Sequence, residues 1–321
     1  FGAPAFGAPA FGAQAGSDSW SGGRMIPLRP MRLGEILDAS FKLFRSTALQ
    51  SALLVAITLG AFSVLSSFIL PVLPGPFDVD AINGLAINEA DIAIRYGMFG
   101  LVTVLSQLLI YPLVRGGVTG IALAADRGGD SSWQAGLRLG LQLAGRLLGL
   151  AFLLLAFGLG AALVIGVVVV LPIVAMIATD AIILAVLYGL VAAVVVSAAA
   201  LVATALIRLA VPVVVVEHVG AMHALRRSYS LVRPQLLRII GIVLVTGLLL
   251  AVIGGVLSVL AVPFSLMGGR AAQLATGVIG TIGLMVTVPF EANIGLLLYV
   301  DARVRHEALD VAVLTAELDS A

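Results

Sequence analysis

Between Arg146 and Asp180 the chain runs for 33 residues without one charged side chain. The run includes the unbroken Val167-Val168-Val169-Val170 and Leu153-Leu154-Leu155. Roughly 20 apolar residues suffice to cross the hydrocarbon core of a bilayer. Inside hydrocarbon no water can satisfy a backbone N–H or C=O, so only a helix or a closed barrel can cross. Barrel strands alternate apolar and polar residues over about 10 positions. Contiguous apolar residues at this length therefore specify a transmembrane helix. Five further runs read the same way, and spans are expected at 47–70, 96–124, 147–176, 180–213, 236–262 and 272–300. The expected fold is an all-α, polytopic bundle of six transmembrane helices. Charge agrees: 11% of the 321 residues are charged, against about 25% in a soluble domain.

Residues 1–26 carry the repeat FGAPA, FGAPA, FGAQA and then a Ser/Gly-rich stretch. Such a segment cannot bury enough apolar area to offset its ordering entropy, and a disordered tail is expected. The membrane domain is expected over 27–312, with a second tail at 313–321. A chain that begins at Phe1 is expected to be a piece of a longer one, with a soluble domain upstream. Its tail lacks the basic and apolar regions of a signal peptide.

The connections between spans alternate in charge. Loop 71–95 holds Asp78, Asp80, Glu89 and Asp91 against Arg95 alone, while the 263–271 connection has only Arg270. With Arg115 and Arg208, which lie near the ends of their spans, counted in, 16 of the 18 lysines and arginines fall on the other side. The excess of positive charge on cytoplasmic loops puts that side, and both termini, in the cytoplasm. The expected location is a bacterial plasma membrane.

Each pair of spans follows a short amphipathic segment. Leu33, Ile36, Leu37, Ser40, Phe41 and Phe44 share one helical face, as do Trp133, Leu137, Gly140, Leu141 and Ala144. Ala221, Leu225, Ser228, Tyr229 and Val232 form the third. All three segments are basic, and helices of this kind lie in the membrane interface with the apolar face toward acyl chains. The unit of interfacial helix, span, span thus repeats three times, over about 31–125, 131–217 and 219–301. Each second span carries a proline, Pro112, Pro212 or Pro289. Gly120 and Asp126 match Gly295 and Asp301 in spacing.

The candidate sites follow from the repeat. Glu291 is the one charge between Arg270 and Asp301. Arg115 lies three residues after Pro112, Arg208 four before Pro212 and Glu291 two after Pro289. A charge at membrane depth needs a partner or a watery cavity. Two readings stay open for Glu291: an ion-paired lock with Arg115 or Arg208, and a proton or substrate site. Asn293 is a further candidate for hydrogen bonds between helices. A second set, Lys42, Arg45, Arg138, Arg146, Arg226, Arg227, Arg233 and Arg238, faces the expected anionic leaflet. Each cation there is worth about 1 kcal/mol. Anionic phospholipid is the expected partner, a protein partner or a second copy of the chain is compatible with it, and nucleic acid is not expected.

The absence of cysteine excludes disulfides, thiolate nucleophiles and Cys-based zinc or iron–sulfur sites. His218 and His223 are five apart and fall on different helix faces, so no metal pair is expected. No metalloprotease, nucleophile-elbow or phosphate-loop motif occurs, and no cofactor is expected.

Three stretches, 27–45, 224–233 and 298–310, resemble the multi-pass membrane domain that accompanies some bacterial glycerophosphodiester phosphodiesterases, and more closely its stand-alone actinobacterial relatives. The phosphodiesterase chemistry of that group sits in a separate soluble barrel whose catalytic residues have no counterpart here. The resemblance therefore implies a membrane domain and no enzyme activity. The expected function is a lipid-interacting scaffold or accessory protein. The alternatives are a transporter or channel working through Glu291 and, last, a membrane-embedded enzyme acting on phospholipid.

Overall fold

The computed structural model describes residue 26 and residues 29–69, 89–267 and 269–307. The expected tails, 1–26 apart from residue 26 itself and 313–321, lie outside the described residues, as does most of the acidic loop. Every described element is a helix: α1 (Leu33–Val55), α2 (Ala61–Ile69), α3 (Glu89–Leu109), α4 (Tyr111–Asp126), α5 (Trp133–Gln142), α6 (Ala144–Ile165), α7 (Leu171–Ala178), α8 (Ile182–Glu217), α9 (Ala221–Val232), α10 (Leu236–Met267) and α11 (Gly269–Glu307). A π-helical turn, Ala56–Gly60, joins α1 to α2, and another, Gly166–Val170, joins α6 to α7. Six helices are long and apolar enough to cross a membrane: Leu33–Ser66, Gly97–Asp126, Ala144–Ala178, Ile182–Glu217, Ala221–Phe264 and Gly269–Glu307.

Local chemistry sets the ends. Glu35, three residues into the chain from Arg32, accepts a hydrogen bond from the Arg32 N–H at 2.7 Å and so fixes the start of α1. Ser132 caps α5 by accepting from the Ala135 N–H. Two non-glycine residues, Asp180 (φ 57°) and His218 (φ 52°), adopt the left-handed conformation, and His218 there ends α8. The prolines act differently from one another. Pro112 sits in the first turn of α4, just past the break at Ile110, where its missing N–H costs nothing. Pro212 and Pro289 lie inside continuous helices.

The proline-bearing helices α4, α8 and α11 pack on one another at the centre. Around them α1 lies against α4 and α11, α6 against α4 and α8, and α10 against α8 and α11. Burial is confined to one half of this bundle. Apart from Ala185 and Ala272, the inner helices are buried only from Val114, Ala205 and Val288 onward. Toward the N-terminal halves of the inner helices and the C-terminal ends of α6 and α10 large apolar side chains stand free, Ile183, Val194, Leu163 and Val259 among them. Such exposure suits hydrocarbon and not water. We call the buried half the closed end.

Two expectations change. The first amphipathic segment is no separate helix, because α1 runs without a break from Leu33 into the membrane-length helix. Nor do the three apolar stripes face wholly outward. Of the stripe residues, Ile36 and Ser40 of α1, Gly140 of α5, and Ser228 and Val232 of α9 are buried against neighbours. Leu33, Phe41, Leu141 and Tyr229 stay exposed. The cause is close packing. The Gly117 backbone of α4 meets Gly136 so closely that a Cβ there would lie 2.7 Å from the Gly136 carbonyl oxygen. On α1, the rings of Phe41 and Phe44 pack on Phe290 of α11 at 4.9 and 6.2 Å.

Candidate functional site

Two tiers of charge occupy the inner helices. The upper one lies where burial begins. Arg208 of α8 faces Glu291 of α11, Nη2 to Oε1, at 3.7 Å. Tyr111 of α4 donates its hydroxyl hydrogen to Glu291 Oε2 across a long 3.4 Å. Arg115, one turn after Tyr111, stacks its guanidinium over the Tyr111 ring at 5.8 Å from the centroid. Each of the three inner helices therefore contributes, and two arginines stand against one carboxylate. Arg208 is buried, and its Nη1 has no hydrogen-bond partner, nor has the buried Nε of Arg115. Gly295, one turn beyond Glu291 on the same face, brings α11 onto the Arg208 backbone.

Of the two partners the sequence offers for Glu291, the structure brings Arg208 into contact. Arg115 engages the Tyr111 ring instead. Asn293 does not join: two residues turn a helix by about 200°, which sets it on the far side of α11 from Glu291. It is fully buried, with neither end of its amide hydrogen-bonded.

The lower tier lies at the closed end. Asp301, almost fully buried, accepts the Met31 N–H at 2.7 Å, Arg238 at 2.5 Å and Arg305 at 3.1 Å. Arg238 and Arg305 also donate to the Met31 carbonyl oxygen, at 2.5 and 2.9 Å. Asp126, its match in the repeat, accepts the Ile26 N–H at 2.7 Å. Glu217 closes α8 and accepts from Arg227 at 3.1 Å and from the Tyr299 hydroxyl at 2.8 Å. Arg227 also meets Glu307, which is held in turn by Arg303 at 2.9 Å. The matched spacing of Gly120–Asp126 and Gly295–Asp301 was the available signal. Each of the two aspartates accepts a backbone N–H far off in sequence, and that contact leaves no pattern to read.

This tier divides the basic residues. Arg227 and Arg238 direct their guanidinium groups at carboxylates of their own chain. Lys42, Arg45, Arg138, Arg146, Arg226 and Arg233 are exposed, and none has an ion-pair partner among the described residues. Lys42 and Arg45, with Phe41 and Ser46, line a shallow groove of about 440 Å³. Beside the connection that precedes α5, the Ser132 side chain and N–H hold the exposed Asp130 carboxyl below the usual carboxylate range. Among the described residues no group of three His, Asp or Glu side chains could hold a metal ion.

Compared with protein families, with curated proteins and with solved structures, the chain finds no match.

Proposed function

We propose that this is a non-enzymatic integral membrane protein that gathers anionic phospholipid at its closed end and serves as a scaffold or accessory for other membrane components. The observation that carries this reading is the set of six exposed cations on α1, α5, α6, α9 and the turn after α9, without ion-pair partners among the described residues. Cations near an anionic surface attract it with about 1 kcal/mol each, and none of these six is in an ion pair among the described residues. In this proposal the closed end faces the cytoplasm of a bacterial cell, as the excess of positive charge on that side requires. The basic segments at the starts of α1, α5 and α9 then lie at headgroup level.

The proposal includes a threefold repeat. Each first span packs on the second span of its own unit and on that of another: α1 on α4 and α11, α6 on α8 and α4, α10 on α11 and α8. The basic segments follow the same cycle, the start of α1 on α11, α5 on α4 and α9 on α8. Kinship with the membrane domains that accompany bacterial glycerophosphodiester phosphodiesterases is part of the same proposal.

Thermal stability in nanodiscs of defined lipid tests the function. The expected result is a higher melting temperature with phosphatidylglycerol than with phosphatidylcholine alone. The difference shrinks when Arg138, Arg226 and Arg233 are all changed to Gln. Equal melting in both lipids overturns the proposal. The remaining exposure of Glu291, 25% of its side chain, favours transport as the second reading. Flux into proteoliposomes that is unaffected by Glu291→Gln removes it.

A further inference from the structure

We infer that Arg115, Arg208, Glu291 and Tyr111 form a binding site for a singly charged oxyanion carried on an apolar chain, such as the phosphodiester of a lipid. The site is separate from the exposed cations of the closed end and does not depend on them. Charge is the first argument. Two arginines and one glutamate leave one positive charge in excess at membrane depth, where an unmatched charge is costly. Unused donors are the second. Arg208 is more than nine-tenths buried, with Nη1 unpartnered, and the buried Nε of Arg115 is also unpartnered. Loose contacts are the third. Arg208 and Glu291 lie 3.7 Å apart, whereas a charge-assisted hydrogen bond closes to about 2.7–2.9 Å. Both guanidinium groups can therefore turn toward an incoming oxyanion without breaking a tight pair.

Position selects the rest of the ligand. The cluster marks the level at which the inner helices stop being buried, and beyond it their apolar side chains are increasingly exposed. A headgroup held by the arginines would leave its chain along that apolar surface. A free anion gains nothing from it.

The test uses the full chain in neutral maltoside micelles. Myristoyl lysophosphatidylglycerol is the probe, with lysophosphatidylcholine of equal chain length and inorganic phosphate as the other arms. The expected result is a rise in melting temperature with the first that exceeds the second, and none with phosphate. Arg115 makes no ion pair among the described residues, so Arg115→Gln should fold normally while weakening the anionic response about tenfold or more, as loss of a hydrogen bond to a charged group implies. Glu291→Gln should lower the starting stability yet strengthen the response, because it removes the carboxylate that competes with the ligand. A purely structural cluster would not produce that reversal. The combined Arg138, Arg226 and Arg233 variant should keep the response. The inference is overturned if Arg115→Gln responds as fully as the parent, if Glu291→Gln responds less, or if inorganic phosphate alone gives the full shift.

Discussion

Gly295→Ala tests the crossing that holds Arg208 against Glu291. A Cβ at position 295 would stand 2.9 Å from the Arg208 carbonyl oxygen and 3.6 Å from Cγ of Pro212. The first distance is about half an ångström inside ordinary van der Waals contact. The obstacle is backbone, so no rotamer change relieves it and α8 and α11 must separate. Overpacking of this kind costs about 1–3 kcal/mol, and alanine returns about 0.5–1 kcal/mol through its better helix propensity. The net expectation is a loss of about 1–2 kcal/mol. Gly241→Ala on α10 is the internal control, because nothing lies within 4 Å of its Cβ position. It should be neutral or stabilising by up to about 1 kcal/mol. Denaturant unfolding in mixed micelles, followed by far-UV circular dichroism, gives both numbers. The crossing is refuted if Gly295→Ala is as stable as the parent or shifts in the same direction as Gly241→Ala.

Four further outcomes are expected. Arg208→Met alone should cost about 2–4 kcal/mol by orphaning Glu291, and adding Glu291→Leu should recover part of it; a double-mutant cycle with no coupling would exclude the lock. Asp301→Asn should speed hydrogen exchange at the Met31 amide and expose the chain before α1 to protease, and unchanged exchange would deny Asp301 its anchoring role. His218→Gly should raise stability by about 1 kcal/mol, since only glycine takes the left-handed conformation without strain; a lower melting temperature would refute this. Ser132→Ala should raise the Asp130 pKa toward the ordinary carboxylate value, read by NMR titration. With that pKa depressed in the fold, the Asp130 contribution is complete above the unfolded-state value and fades as pH falls through the folded one, so an unshifted titration would contradict the Ser132 side-chain bond.

The spans were legible because length and continuity of apolar sequence decide them without any tertiary term. Their ends were less so. The expected fifth span, 236–262, and the observed helices at 221–232 and 236–267 differ because a helix does not stop where hydrocarbon does. The π-helical turns at 56–60 and 166–170 left no mark in the apolar pattern. The Arg208–Glu291 contact was readable from the offsets of charge to proline, since those offsets report depth. Arg115 lies in the same cluster but on the Tyr111 ring, and the aromatic beside Pro112 carried no signal of its own. Asn293 lies near Glu291 in depth but on another face of α11, because helical phase separates the two. Depth and phase are independent coordinates, and matching one does not supply the other.

The lower tier shows what a carboxylate near the end of an inner helix requires. Asp126 and Glu217 are the last residues of α4 and α8, and Asp301 lies within the last two turns of α11. A negative charge there opposes the helix dipole, which favours cations at C-termini. Each therefore needs positive groups from elsewhere in the chain. Asp301 receives Arg305 from its own helix, Arg238 from α10 and the Met31 N–H from the start of the chain. Glu217 receives Arg227 from α9. The contact at Met31 spans 270 residues and joins the last inner helix to the segment that precedes α1. In the proposed ring of three units this bond closes the circle. Its donors are backbone and arginine, so an apolar residue at 301 would leave Arg238 and Arg305 clustered without a counter-charge. A carboxylate that looks misplaced on its own helix is thus the group that fixes where the chain's first and last elements meet.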